Sequence, residues 1–462
     1  MKKVLTTALL TLLICIGLLA AISLIPQSAI KDNVSKSADE LLELQLFDHV
    51  TDNVFPSRQD NYADAILVNI IYNIDSHNLL RSLASMPYYN PEDEAVNTSL
   101  KNTVDLVTLP FTEYGQLSDG YIDYSRYWHG SQVLLRPLLT VLPLSTIRLL
   151  LGMIVIALNL AFIIAMMIGG DRDPLSKKSL ASVISGESLA AICYGIGLII
   201  ISIWMCACCI EYVTTFLVVS VQLLTLYKYR GKLDATKLYS ILCAGGIVTA
   251  FVDFLTTETI TLTLPMLFYF IMIEAAGGRD AKGIELGDKK NWWTLVTGAV
   301  IWGVSYAGMM LLKWIIAMAV LGKDAFLEAL RQASLRIAGD ATYGNIPGAE
   351  AVTNEEQITG ALWRNFACLF PFGESINKGR TILFTLIALF LIFAVWYLFH
   401  KKLDKVSGQF TLILLAIGFV PYVRFLVLNN HAYIHFFFTY RAQVVTITAL
   451  LYLATKDIVA KK

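Results

Sequence analysis

The 462-residue chain is 56% hydrophobic and only 16% charged, where a soluble protein of ordinary composition carries about 25% charged residues. Its 36 basic and 36 acidic residues cancel, which excludes the strongly basic surface of a nucleic-acid binder. Several stretches reach the roughly 20 apolar residues needed to cross a hydrocarbon core of about 30 Å, so the composition predicts an all-α, polytopic transmembrane helix bundle.

Met1-Lys2-Lys3 precedes an apolar run that ends at Pro26. The run exceeds the apolar core of a signal peptide, about 7–15 residues, so 1–26 reads as an uncleaved first transmembrane helix. Residues 27–146 are too polar to span and read as a long extracytoplasmic loop. Within it, "RQDNYADAILVNIIYNI" (58–74) puts Ile66, Leu67, Ile70, Ile71 and Ile74 on one helical stripe and Asp60 and Asp64 on another face. That pattern predicts a helix lying on the membrane surface. "GYIDYSRYWHG" (120–130) carries the Tyr and Trp expected at headgroup depth. "SQVLLRPLLTVLP" (131–143) is too short to span and reads as an interfacial or re-entrant piece. The sequons at Asn33 and Asn97 carry little weight, since chance supplies a couple in such a length.

Residues 147–321 hold spans two to seven, near 147–168, 188–205, 209–227, 238–253, 258–274 and 292–321. The last exceeds one crossing and is expected to tilt or to end along the interface. "CACC" (206–209) reads as small apolar residues at a helix end, because no histidine or second cysteine pair is near in sequence. A second extracytoplasmic loop, 322–379, opens with amphipathic "KDAFLEALRQASLRI" (323–337), with Arg331 and Arg336 on its polar side. Spans eight to ten occupy 380–462, near 380–399, 408–428 and 440–455, which gives about ten in all.

Basic residues cluster in alternate short segments: Lys2 and Lys3, Lys177 and Lys178, Lys228 to Lys237, Arg279 to Lys290, Lys401 and Lys402, and Lys456 onward. The turns at 206–208 and 254–257 carry none. The positive-inside rule then predicts a plasma-membrane protein with both termini cytoplasmic and both long loops outside.

Ionisable residues are costly at membrane depth and mark function or a private partner. Of Glu211, Asp253, Glu258, Lys313, Arg424, His431, His435 and Arg441, nearly all fall at or near the outer face on this topology. Each has a plainer reading. Asp253 and Glu258 bracket the turn "DFLTTE", and Lys313 and Arg441 have stems long enough to snorkel. His431 and His435 have the i, i+4 spacing of a metal pair but no carboxylate beside them in sequence. Their shared location predicts a polar cavity that opens outward. Cations there suit a lipid phosphate, and a loop carboxylate suits a general base.

This layout resembles the GT-C superfamily of membrane glycosyltransferases: a first span, a long acidic outer loop with membrane-lying helices, further spans and a second long outer loop. "DNYADA", "DFLTTETITLTLP" and "NNHAYIHFFFTYR" are also similar to segments of uncharacterised bacterial polytopic proteins of this size. The resemblance implies transfer of a sugar from a polyprenyl-phosphate donor to a cell-envelope glycan, lipid or protein on the extracytoplasmic face. It implies Asp60 or Asp64 as catalytic base. Lys313, Arg441, Arg424, His431 and His435 would hold the donor phosphate, and Asp253, Glu258 and Glu211 would shape the sugar or acceptor pocket. The loop lacks the adjacent Asp-Asp or Asp-Glu pair of several GT-C families, which leaves the choice of aspartate open. Some members of the superfamily use a divalent metal and others do not, so no cofactor is assigned. A transporter or flippase of lipid-linked glycans, and a non-catalytic envelope-assembly protein, stand as the alternatives.

Overall fold

A computed structural model describes residues 1–50, 57–74, 78–91, 99–108, 120–169, 185–338, 353–370, 376–399 and 405–460. The basic segments at 177–178 and 401–402 and the sequon at Asn97 lie outside the described residues. The N-terminal helix α1 (Lys2–Ser23) leads into α2 (Lys31–Leu42), α3 (Asn61–Tyr72), α4 (Leu79–Ala84), α5 (Ser99–Thr108) and α6 (Gln132–Leu139). Two short strands, β1 (Met86–Tyr89) and β2 (Tyr121–Tyr124), pair antiparallel with Met86 opposite Tyr124. The remaining helices are α7 (Leu144–Gly169), α8 (Gly186–Ile200), α9 (Val213–Lys228), α10 (Ala235–Val252), α11 (Ile260–Ala275), α12 (Lys290–Leu321), α13 (Lys323–Ala338), α14 (Asn354–Ala367), α15 (Lys378–Phe399), α16 (Lys405–Val427), α17 (Asn429–Ile434), α18 (Phe436–Thr439) and α19 (Val444–Ala460).

Among the described residues, eight helical segments are long and apolar enough to cross a membrane. They contain α1, α7, α9, α10, α12, α15, α16 and the run from α18 through α19. The shorter apolar helices α8 and α11 complete an all-α polytopic bundle. Burial sorts them by position. In α11 every residue from Ile260 to Ile273 is buried, as expected of a central helix apolar on all sides. In α15 only Thr381 is buried, and Leu386, Phe390 and Phe393 project outward. An exposed apolar belt of this kind is stable only against lipid. α12 is continuous over 32 residues, about 48 Å at roughly 1.5 Å per residue, longer than one perpendicular crossing.

The first long loop is more enclosed than its sequence pattern predicts. α3 does not lie on the surface with one wet face: Asn61, Asp64 and Asn69 are buried along with Ala65, Leu67, Val68, Ile70 and Ile71. The polar side chains of α3 are satisfied internally, which an apolar-stripe argument does not anticipate. Asn69 bonds both the N–H (2.9 Å) and the C=O (3.1 Å) of Tyr89, tying α3 to β1. Arg136 of α6 is fully buried and donates to the carbonyls of Ile25, Ile71 and Ile74, so one cation closes the ends of α1 and α3 together.

Candidate functional site

Asp60 stands at the head of α3, where its side chain accepts the Ala63 N–H at 2.8 Å and caps the helix. Four residues on, Asp64 faces a different neighbour. Its carboxylate takes Arg148 Nε of α7 at 2.7 Å and the Ile210 N–H at 3.1 Å, while Arg148 also donates to Asn61 Oδ1 at 2.9 Å. Tyr212 adds a hydroxyl bond to the Arg58 carbonyl at 2.9 Å. The segment 58–64 is thereby stitched to the short 3-10 turn Ile210–Tyr212 that precedes α9. The stitch brings Glu211 to the same cavity wall as Asp60.

These two acids line a cavity of about 330 Å³, inside the range of about 300–1,000 Å³ typical of small-molecule sites. α13 contributes Arg336, and α17 with the residue after it contributes His431 and His435. The stretch after β2 contributes Arg126, Tyr127 and His129, and Phe254 closes one wall. Tyr62, Tyr88, Tyr124 and Asn90 supply further polar edges. Glu211 Oε2 and His435 Nδ1 are buried there without a hydrogen-bonding partner, so the cavity offers unsatisfied polar groups to a ligand.

The walls are held by unusual backbone. His129 and Leu255 both adopt left-handed φ, 54° and 68°, which bulky residues rarely do. Between them, the Gly130 N–H bonds the Phe251 carbonyl at 2.8 Å. A Cβ on Gly130 would fall 2.4 Å from the Phe251 ring, so only glycine allows this junction. Arg126 lies 4.4 Å from the Tyr124 ring centroid and donates to the Tyr124 hydroxyl at 3.0 Å, which fixes the guanidinium at the cavity wall.

Burial pushes the Asp60 carboxyl up to about 6, with the negative charge of Asp64 adding to the effect. Burial also holds the imidazoles of His431 and His435 well below their ordinary range, and the neighbouring arginines reinforce it. The site thus combines two buried carboxyl groups, neutral imidazoles and two guanidinium groups. Such a set can accept a hydroxyl proton at one point and receive an anion at another. Among the described residues, no group of three or more His, Cys, Asp or Glu side chains is placed to hold a metal ion.

Of the ten residues expected at the site, Asp60, Glu211, His431 and His435 meet in the cavity. Asp64 supports it from behind through Arg148. Asp253 accepts the Thr256 N–H at 3.1 Å and also its hydroxyl, so it organises the turn that presents Phe254. Glu258 pairs with Arg424 Nε at 2.8 Å, and Arg424 reaches the Leu255 carbonyl at 2.6 Å and His431 Nδ1 at 3.3 Å. An arginine only donates, so His431 Nδ1 is the acceptor and its proton sits on Nε2. Lys313 and Arg441 are not among the lining residues. Lys313 Nζ donates to the Leu83 carbonyl at 2.6 Å beneath Trp128. Arg441 lies 4.2 Å from the Tyr212 ring centroid and bonds the Phe437 carbonyl at 3.1 Å. The cations that do line the cavity, Arg126 and Arg336, were not assigned to it from sequence. Arg126 sat in a Tyr/Trp-rich stretch that reads as an interfacial anchor.

No family model, curated protein or solved structure matches this chain.

Proposed function

We propose that this protein is a membrane glycosyltransferase that takes a sugar from a polyprenyl-phosphate carrier and passes it to a cell-envelope acceptor on the extracytoplasmic face. The observation that carries the reading is the juxtaposition of the Asp60–Glu211 carboxyl pair with Arg126 and Arg336 in one cavity at the end of a transmembrane bundle. An acid that is easily deprotonated near neutral pH and a pair of fixed cations are what transfer from a phosphate leaving group requires.

In this mechanism Asp60 takes the proton of the acceptor hydroxyl. The oxygen so activated attacks the anomeric carbon of the donor, and the bond from that carbon to the phosphate oxygen breaks. The lipid phosphate departs with the bonding electrons, and its charge is received by Arg126 and Arg336. Glu211, on the same cavity wall, offers its unpartnered Oε2 to a hydroxyl of the sugar or acceptor. His431, its tautomer fixed by Arg424, donates Nε2–H toward the sugar or phosphate. Lys313, Arg441, Asp64 and Asp253 position the walls and touch no reacting atom.

The test is transfer from a radiolabelled polyprenyl-phosphate sugar in membranes carrying the wild-type chain or Asp60→Asn. The reading expects transfer in the first and its loss in the second, with equal protein in both. Undiminished transfer by Asp60→Asn removes the proposed base.

A further inference from the structure

At the other end of the bundle lies a second and larger recess, about 730 Å³, between the first turns of α1, the last turns of α9 and the start of α10. α10 runs from this recess at Thr236 to the turn at Asp253 beside the Asp60 cavity, and α9 runs from the turn that holds Glu211 to Tyr229, its C-cap, at the recess. The two sites are therefore separated by the length of a span, about 27 Å for the 18 residues of α10.

Three lysines line the recess, Lys2, Lys3 and Lys237, against one carboxylate, Asp234. Asp234 is already engaged: it caps α10 through the Lys237 N–H at 2.9 Å and meets Lys237 Nζ at 3.4 Å and Lys282 Nζ at 3.8 Å. Among the described residues, neither Lys2 nor Lys3 has a carboxylate within ion-pair distance. The recess therefore holds excess positive charge. A second feature points the same way. Gln222 lines the recess and is buried; its Nε2 donates to the Ile241 and Thr261 carbonyls, but its Oε1 has no partner. A buried carbonyl oxygen without a donor is costly, and a ligand hydroxyl would satisfy it.

We infer that this recess binds the headgroup of an anionic membrane phospholipid, with its phosphate among Lys2, Lys3 and Lys237 and a headgroup hydroxyl on Gln222 Oε1. The surroundings favour a lipid over a soluble anion. Val221 at the recess and Leu9 and Leu13 further along α1 are between 53% and 58% exposed, and they offer acyl chains a lipid-facing apolar track leading from the recess. The site is independent of the glycosyl-transfer reading, since it shares no residue with the Asp60 cavity.

Two measurements on the full-length chain test it. In the wild-type protein, amine acylation of Lys2, Lys3 and Lys237 is followed by peptide mass spectrometry in phosphatidylcholine vesicles, with and without phosphatidylglycerol. Several-fold slower acylation at these lysines with phosphatidylglycerol, and little change at Lys289 and Lys290 at the same end of the bundle, is the expected result. Equal slowing at Lys289 and Lys290 reduces the effect to general surface charge and overturns the site. Equal protection by free glycerol phosphate in phosphatidylcholine vesicles shows a soluble-anion site and overturns the lipid assignment. In native mass spectrometry, the triple variant Lys2→Gln/Lys3→Gln/Lys237→Gln is expected to lose a phosphatidylglycerol adduct that Lys289→Gln/Lys290→Gln keeps. Retention of the adduct by the triple variant overturns the site.

Discussion

The carboxyl of Asp60 caps helix α3 and lines the same cavity as the carboxyl of Glu211, which arrives from the turn before α9. One residue thus serves as a structural cap and as an acid at the wall of a cavity. The two duties can be separated by substitution. Asparagine is also a good N-cap, so Asp60→Asn should keep the fold while removing the base. Transfer is expected to fall by about 10²–10⁴-fold, the usual worth of a general base, with little change in melting temperature. Transfer assays and thermal denaturation in detergent check the two halves.

The same carboxyl predicts a pH dependence. A base must be ionised, so the rate should climb as pH rises through about 6, and that acid limb should vanish in whatever activity Asp60→Asn retains. Stability moves the other way. The folded chain holds this proton more tightly than the unfolded chain, whose aspartate titrates near 4. The group's contribution is fully present below about pH 4 and is lost as pH rises through about 6. Melting temperatures of wild type and Asp60→Asn, compared at both ends of that window, measure the difference.

Asp64 is expected to behave unlike Asp60, although the two stand four residues apart. It is buried against Arg148, and removing either partner leaves an unpaired charge. Asp64→Asn or Arg148→Met should cost about 3–5 kcal/mol, and the double replacement considerably less than the sum. Denaturation of the two singles and the double gives the coupling. Near-additive costs contradict the pairing.

The cations divide in a similar way. Arg336→Gln and Arg126→Gln should lower kcat/KM for the polyprenyl-phosphate sugar by about 10–100-fold, the worth of one charge-assisted hydrogen bond. Lys313→Met should leave the donor KM unchanged, because its ammonium is spent on the Leu83 carbonyl. Steady-state kinetics with varied donor distinguish these outcomes.

What could be read from the sequence follows from what hydropathy measures. The segments expected to span correspond to α1, α7 to α12, α15, α16 and α19, since a run of about 20 apolar residues has few alternatives to a membrane helix. Asp60, Glu211, His431 and His435, which line one cavity, stand out in the sequence because polar groups beside such runs are conspicuous. The cations expected to hold the donor phosphate lie off the cavity lining for a physical reason: a lysine or arginine at the end of a span looks the same in sequence whether it faces a cavity or a backbone carbonyl. Lys313, Arg441 and Arg424 do the latter at Leu83, Phe437 and Leu255. Asp64 and Arg148 lie far apart in the chain, and Arg148 in "LSTIRLLLG" reads as the start of a span, so nothing local announces their pairing. The enclosure of α3 was hidden for the same reason, because the partners of its polar residues come from β1 and α7.

The most direct test of the account follows both products of one reaction in purified full-length protein supplied with a polyprenyl-phosphate sugar and an envelope-glycan acceptor. The account predicts that wild type releases free polyprenyl phosphate in step with glycosylated acceptor, and that Asp60→Asn retains donor binding and releases neither. Movement of intact donor across the bilayer without cleavage of the sugar–phosphate bond would contradict the account and identify a flippase instead.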